Sequence, residues 1–379
     1  MPGYSGGAPV NQTTISRSDL IDRLRLIRTE TVGPVAFEHL LSLYGTAAAA
    51  LDALPGLARK GGGRVLRVPA KAEAEREIAA TEKAGARFLA RGEADYPRLL
   101  AAIEAAPPLI TVKGHVHLAR PPAVAMVGAR NASAAGQRLA REMAGDIGRA
   151  GMIVVSGLAR GIDGVAHVAA LDTGTIAVVA GGIDIVYPPE HAELQARIGE
   201  AGLIVAEMPV GTQPQARHFP RRNRLISGLA LGVVVVEAAL KSGSLITARF
   251  ALEAGREVMA VPGSPLDPRA RGANDLIRQG ARLVESGAEV VDVLRPMAEA
   301  PLAEPARDGF AAGPPKPPDE PEIARHRNRI IELLSPVPIA VDELLRQAEL
   351  TPPVVFTILL ELELAGRLMR HAGGRVSLI

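Results

Sequence analysis

Residues 217–224 are the part of the chain best equipped to bind an anion. They include four arginines, one histidine and one of the six phenylalanines, and no Asp or Glu lies between positions 211 and 236. A guanidinium group binds phosphate through two hydrogen bonds at once, and a phenyl ring can stack on an unpaired base. The segment therefore predicts contacts with a single-stranded nucleic acid. The residues expected to make them are Arg217, Phe219, Arg221, Arg222, Asn223 and Arg224.

A structural explanation of the same segment stays open. Arg222 and Arg224 could pair with core acids such as Glu207 or Glu237, and the Phe219 ring could be buried. Because such pairs would not use all four arginines, we favour nucleic-acid binding.

A second group of candidates follows predicted strands in the middle of the chain. Glycine, hydroxyl and basic side chains recur at the strand ends where open α/β sheets bind ligands. Glycine lets the backbone approach a ligand, and free amides at helix starts attract anions. These loops together predict a phosphate pocket, although glycine is common in such turns of any α/β protein. The candidates are Arg130, Ser156, Gly157, Arg160, Gly161, Lys241, Gly243, Ser244 and Thr247.

The sequence disfavours several other kinds of site. No G-x-G-x-x-G follows the first predicted strand and no G-x-x-x-x-G-K-[ST] occurs, so neither a dinucleotide coenzyme nor a P-loop nucleotide is indicated. The eight histidines lack H-x-x-x-H and H-E-x-x-H spacing, and no G-x-S-x-G elbow follows a predicted strand. We therefore expect no cofactor, no metal and no catalytic residue. Asp163 and Asp184 are interpreted as supports for their loops.

The elements that must position these loops are strands alternating with helices. Seven runs rich in Val and Ile predict parallel strands that are buried on both faces. Their alternation with helical segments predicts a Rossmann-like, doubly wound, mostly parallel sheet over residues 123–295. The predicted strands are 124–128, 153–156, 176–180, 203–208, 232–238, 258–261 and 282–285.

Smaller segments precede this central region. Residues 1–14 are rich in Gly and Pro and predict a disordered tail. Residues 15–60 show apolar positions at helical spacing around a Gly33-Pro34 turn. They predict a helical domain of the sterile-alpha-motif or helix-hairpin-helix kind, which either approaches DNA phosphates or only packs. Residues 61–122 are interpreted as a connector.

Two further segments follow the central region. Residues 296–320 contain seven prolines and predict a semi-rigid linker. Residues 321–379 predict three helices and a β-hairpin, the order found in a winged helix. The third helix, over 352–364, carries Glu361 and Glu363 but no Lys or Arg. An interaction or auxiliary role is therefore favoured over duplex reading by this helix.

The composition indicates a globular, multidomain chain. Of 379 residues, 47% are hydrophobic and 22% charged, and the net charge is only +2. The absence of cysteine excludes disulfides and fits a reducing compartment. No signal peptide and no apolar run of the ~18 residues that a membrane span needs are evident. We expect a cytoplasmic protein that does not enter a membrane.

Six motifs, taken together and in this order, resemble the DNA-processing protein A (DprA, or Smf) family. Each is weak alone, but the set is specific and strongest over residues 123–290. The motifs are VGAR at 127–130, SGLARGID at 156–163, GGIDIVYP at 181–188, FPRRNRLISG at 219–228, EA…SGSLITA within 234–248 and VPG at 261–263. The flanking helical domain and winged helix resemble appendages that some members carry.

The resemblance implies a protein that binds and protects incoming single-stranded DNA in natural transformation and loads the RecA recombinase. It also implies a homodimer formed through the late part of the central domain, here around residues 274–294. Ala129 departs from the family pattern, where the first loop often has Ser, so one hydroxyl contact is missing. The phosphate contacts that carry over are Arg130, Ser156, Gly157, Arg160, Gly161, Arg222, Asn223, Arg224, Gly243, Ser244 and Thr247, with Arg221 and Lys241 as additions.

Two alternatives to a single-strand-binding protein stay open. One is a nucleotide-processing phosphoribohydrolase of the lysine-decarboxylase-like type. Such enzymes show P-G-G-x-G-T-x-x-E, whereas the comparable loop at 241–247 has no Glu before Glu253. The other alternative is a scaffold whose winged helix alone binds DNA.

Overall fold

The computed structural model describes residues 15–63, 66–299, 320–371 and 373–379. The predicted tail at 1–14 and most of the predicted linker lie outside these residues, whereas 296–299 complete a helix. The chain divides into two compact units. The first contains Ile15 and the described residues from Glu77 to position 299, and the second combines Ser16–Arg76 with the described residues from 320 onward.

Both kinds of secondary structure occur along the described chain. The helices are α1 Arg17–Arg28, α2 Pro34–Tyr44, α3 Ala47–Lys60, α4 Lys71–Lys83, α5 Arg98–Ala101, α6 Ala134–Arg149, α7 Ile162–Ala170, α8 Ala192–Ala201, α9 His218–Gly228, α10 Gly243–Glu253, α11 Arg271–Arg278, α12 Gly287–Glu299, α13 Glu320–Leu333, α14 Val341–Ala348 and α15 Pro352–Leu364. The strands are β1 Arg87–Ala90, β2 Leu109–Gly114, β3 Ala123–Gly128, β4 Ile153–Ser156, β5 Thr175–Val178, β6 Leu203–Ala206, β7 Gly232–Val236, β8 Glu257–Ala260, β9 Arg282–Leu283, β10 Ile339–Ala340, β11 Leu368–His371 and β12 Arg375–Leu378.

The first unit is built on a nine-stranded sheet in the order β1-β2-β6-β5-β4-β3-β7-β8-β9. The strands from β3 to β9 are parallel, as the runs of Val and Ile predict. Residues of α9 and α10 lie in the hydrophobic core on one face, and residues of α6, α7 and α12 lie in the core on the other. The predicted Rossmann-like fold is thus confirmed. The ends of each predicted strand lie within two residues of the ends of the observed strand.

One edge of the sheet contains two strands that the sequence did not predict. β1 and β2 come from the segment interpreted as a connector, and β2 pairs antiparallel with β6. Neither strand is followed by a long crossover helix. The pairing of β2 with β6, about 90 residues later, is a non-local contact that no local pattern encodes.

The second unit contains two groups of helices. Helices α1–α3 pack around Phe37, Leu40 and Leu54. Helices α13–α15 and the sheet β10-β12-β11 form the predicted winged helix. Among the described residues no single helix has the length and apolar character to cross a membrane; only α2 and α3, bent by 106° at their junction, meet that criterion as a pair.

Candidate nucleic-acid interface

The site lies at the point where the order of the parallel strands reverses. The chain runs from β3 through β4 and β5 to β6 on one side, and then from β7 through β8 to β9 on the other. The loops after β3 and β7 therefore leave in opposite directions and open a crevice at the carboxyl ends of the strands. Gly128 is needed here, because a Cβ atom would lie 2.0 Å from the carbonyl oxygen of Val236.

A cavity of about 670 Å³ fills this crevice, and a second cavity of about 220 Å³ shares several of its lining residues. The structure brings ten of the predicted site residues to these two cavities. In the larger cavity they are Arg130, Phe219, Arg222, Asn223, Lys241, Gly243, Ser244 and Thr247. The smaller cavity adds Gly157 and Arg160.

The floor of the larger cavity is the amino-terminal end of α10. Ser242 caps this helix by accepting a hydrogen bond from the amide of Ser244 at 3.2 Å. The Ser244 hydroxyl donates to the carbonyl oxygen of Gly128 at 2.8 Å, and Asn223 Nδ2 donates to that of Gly243 at 3.3 Å. These bonds hold the helix start open toward the cavity. Its free amides and helix dipole favour a bound anion.

Two aromatic rings and an arginine stand together beside this floor. The guanidinium carbon of Arg130 lies 5.2 Å from the centre of the Phe219 ring. The Tyr187 ring lies 5.6 Å from that of Phe219 with the planes inclined by 52°. Tyr187 is 43% exposed and lines the smaller cavity. Sequence reasoning missed Tyr187, although it follows the third predicted strand within the GGIDIVYP run and the strand-end rule could have found it.

The exposed charge around the cavities is mainly basic but not entirely. Arg130, Arg160 and Lys241 are exposed. Glu190 also lines the smaller cavity and pairs with Arg160 at 3.5 Å, with both side chains about half exposed or more. Such a surface pair contributes little energy.

Arg222 is buried rather than displayed at the surface. One guanidinium nitrogen donates to the carbonyl oxygens of Gly157 and of Val178, the latter at 2.6 Å. Burial lowers the pKa of Arg222 to about 10, while the Asp163 carboxylate opposes that shift. Asp163 in turn accepts from the amides of Gly157 and Ala159 at 3.1 and 3.3 Å. The structure thus makes Arg222 and Asp163 braces of the 157–161 loop, and Asp163 has the supporting role that the sequence suggested.

Five predicted site residues do not line either cavity. Arg224 pairs with Glu207 and donates to the carbonyl oxygen of Ala105 at 2.7 Å, which is the structural alternative foreseen for it. Ser156 is buried and donates to the carbonyl oxygen of Met126. Gly161 shapes its loop with a φ of 74°. Arg217 and Arg221 are exposed at the start of α9 and outside both cavities. A direct phosphate contact from Arg224 or Ser156 is therefore not supported.

A buried histidine behind the site gives a pH prediction. His167 contacts the Thr175 hydroxyl at 2.7 Å, and burial, aided by His191, lowers its pKa to about 3. In the unfolded chain its pKa is about 6.5, so the unfolded state binds more protons between these values. We expect the free energy of unfolding of the first unit to fall by about 1.4 kcal/mol per pH unit between about pH 6 and 4 from this residue alone. Urea unfolding as a function of pH measures that slope.

The control for this prediction is a pair of substitutions. His167→Gln should reduce the slope by the stated amount, whereas His117→Gln, at an exposed histidine, should leave it unchanged. An equal slope in wild type and His167→Gln would show that His167 does not titrate on unfolding.

Metal binding finds no support in the described ranges, where no group of three or more His, Asp or Glu residues is placed to hold an ion.

Comparison with known proteins identifies the family. Residues 87–295 match the model of the family described as DNA recombination-mediator protein A. Residues 17–80 match a DprA-like N-terminal HHH domain, and residues 314–374 match a DprA winged helix domain. The family is described as one of recombination mediators, not of hydrolases, so the phosphoribohydrolase alternative is not supported.

Two individual relatives support the same family. The chain is 41% identical over 286 residues to protein Smf of Escherichia coli, covering 75% of both chains. It is 46% identical over 198 residues to the DNA processing protein DprA of Streptococcus pneumoniae, covering 52% of this chain and 70% of that protein.

Two solved structures share the fold. The structure of DprA from Streptococcus pneumoniae matches with a TM-score of 0.56 and 40% identity, covering 59% of this chain and 78% of that one. DNA processing protein A from Helicobacter pylori, whose structure is described as showing a unique single-stranded DNA binding mode, matches with a TM-score of 0.51 and 26% identity, covering 56% and 96%. By its family models, its relatives and its fold, this chain belongs to the DNA recombination-mediator protein A (DprA/Smf) family.

Proposed function

We propose that this chain binds single-stranded DNA in the crevice between the loops that follow β3 and β7. The observation that carries the proposal is the meeting of an open helix start, three exposed cations and two aromatic rings at one edge of the sheet. A backbone phosphate would bind at the α10 amino terminus, which lines the same cavity as Arg130 and Lys241. The single-strand binding mode described for the Helicobacter pylori relative supports the same assignment here.

Bases would lie on the aromatic side of the site. Tyr187 and Phe219 present ring surface next to the phosphate floor, and every base has a face that can stack. Bases in a duplex are already stacked and cannot reach these rings. Binding is therefore expected to favour single strands, to depend weakly on sequence and to weaken as salt rises.

We extend this proposal to a cellular role. The protein would protect strands that enter the cytoplasm during natural transformation and load RecA recombinase on them, as a mediator of recombination. It would act as a homodimer through the region around residues 274–294, so that one strand could cross two crevices.

Fluorescence anisotropy tests the central proposal. A labelled oligo-dT strand and a duplex of equal length are titrated with the full-length protein at two salt concentrations. We expect salt-sensitive binding with preference for the single strand. Absence of binding at low salt, or equal affinity for both ligands, would overturn the proposal.

Tyr187 provides a residue-level prediction. Tyr187→Ala should weaken oligo-dT binding by about 5- to 150-fold, the range expected for loss of one stacking platform. Tyr187→Phe retains the ring and should bind like wild type. The effect should shrink on an oligonucleotide with abasic positions, which distinguishes stacking from a general loss of the site.

A further inference from the structure

Helix α15 is apolar on all sides, which is unusual for the third helix of a winged helix. Its buried residues include Ile358, Leu359 and Leu362, which belong to the core of α13–α15. Leu360 and Leu364 instead belong to the cluster of α1–α3, together with Phe37, Leu40 and Leu54. A helix that is hydrophobic all round needs burial on both sides. In the second unit α1–α3 supply the second side.

The backbone of the segment after α3 is shaped for α15. A Cβ atom on Gly61 would lie 2.0 Å from the carbonyl oxygen of Glu361, and one on Gly63 would lie 2.5 Å from the Cα of Ala365. These are backbone atoms that cannot rotate away. Two glycines are thus used where the two domains touch, although they are separated from α15 by about 300 residues of sequence.

Hydrogen bonds join the same two surfaces. The Thr31 hydroxyl donates to the carbonyl oxygen of Leu364 at 3.2 Å, and Arg367 donates to that of Gly61 at 3.1 Å. The His39 ring also meets the Phe356 ring edge-on, with centroids 6.0 Å apart. Polar and apolar contacts therefore cover α15 from its first turns to its end.

The acidic residues of α15 are neutralised inside the second unit. Arg327 pairs with the buried Glu361 at 2.9 Å, and Arg370 pairs with Glu363 at 2.7 Å. The helix contributes no Lys or Arg of its own. A surface that enters the major groove of DNA needs the opposite: exposed donors and unpaired positive charge.

We propose that the partner of the winged helix is the α1–α3 bundle of the same chain, and that the two form one module in which the groove-reading face of α15 is occupied. In helix-turn-helix proteins this helix lies in the major groove. One face of a helix cannot pack against α3 and contact bases at once. The winged helix of this protein therefore makes no duplex contact through α15. It packs through this helix against α1–α3 instead.

Substitution of the contact glycines tests this pairing. A protease site is placed within residues 300–319 of the full chain, and the cleaved protein is run on size exclusion. The fragment beginning near residue 320 should co-elute with the remainder in wild type. It should separate in Gly61→Ala/Gly63→Ala, because the added methyl groups collide with the α15 backbone. Separation of the two fragments of the cleaved wild-type protein would overturn the proposal.

Gly56→Ala is the matched control. It makes the same change in α3, where no atom lies within 4 Å of the added Cβ, and it should co-elute like wild type. Gly61 has a φ of −70°, which alanine adopts readily, so its substitution adds only the collision. Single-strand binding by the first unit should persist in all these variants, showing that the first unit is folded in each.

Cysteine cross-linking tests whether the pairing is intramolecular without disturbing the packing. The chain has no cysteine, so Lys60→Cys/Glu320→Cys, placed at an exposed ion pair, has two unique thiols. A bismaleimide should join them within one chain. Cross-linked dimers, or slowed hydrogen exchange of α15 amides on addition of duplex DNA, would overturn the assignment.

Discussion

Replacing Arg222 with alanine should destabilise the first unit by about 1–3 kcal/mol for each buried acceptor left without a donor. The change leaves the Asp163 carboxylate without its nearby cation and the carbonyl oxygens of Gly157 and Val178 without a donor. Because the 157–161 loop lines the smaller cavity, single-strand binding should be lost together with stability. Urea unfolding and anisotropy below the unfolding transition measure both effects.

The neighbouring Arg221 supplies the control for this experiment. It is exposed and outside both cavities, so Arg221→Ala should change the free energy of unfolding by no more than about 0.5 kcal/mol. A stable Arg222→Ala variant with weakened binding would contradict the bracing role. It would indicate instead the direct phosphate contact that the sequence suggested.

Removing the exposed arginines should separate binding from stability. Arg130→Ala/Arg160→Ala deletes two cations at the rim of the cavities, where both side chains are exposed to an incoming strand. If each contacts one phosphate, the slope of log affinity against log salt should become shallower by about 1.4, or about 0.7 per contact. Affinity should fall for all sequences alike, while the urea midpoint stays unchanged. Anisotropy titrations at several salt concentrations provide the slope.

A double variant with the same loss of charge controls for net electrostatics. Arg149→Ala/Arg197→Ala removes two exposed arginines of the first unit, on α6 and α8 and away from both cavities. It should leave the salt slope as in wild type. If both double variants changed the slope equally, the effect would come from the net charge. The crevice would then no longer be assigned as the DNA-binding site.

Much of the site can be predicted from sequence because buried parallel strands leave a strong local pattern. Buried parallel strands appear as continuous runs of Val and Ile, and the residues directly after them must meet at one edge of the sheet. This is why the sequence alone places Arg130, Gly157 and Gly243 at the same edge. It does not predict β1 and β2, because β2 joins the sheet by pairing antiparallel with β6, about 90 residues later, and periodicity does not report such a contact.

The arginine-rich segment 217–224 shows where sequence reasoning reaches its limit. The pattern identifies the charge but not the direction of each side chain on α9. Phe219 and Arg222 both line the cavities, although the guanidinium group of Arg222 is bonded to backbone carbonyls. Arg224, five positions beyond Phe219, turns to Glu207. On a helix this direction depends on which face packs against the sheet, and that choice is made by tertiary contacts.

Residue types and short-range order are enough to predict the α/β class, the winged helix, the crevice loops and a single-stranded nucleic acid as the ligand. Long-range contacts are needed to show which arginines are braces and which are exposed, and to place Tyr187 beside Phe219. The packing of α15 against α1–α3 is also such a contact. Each of these outcomes depends on contacts between residues far apart in the chain. The free energy gained by burying such contacts is not part of the local propensity of any segment.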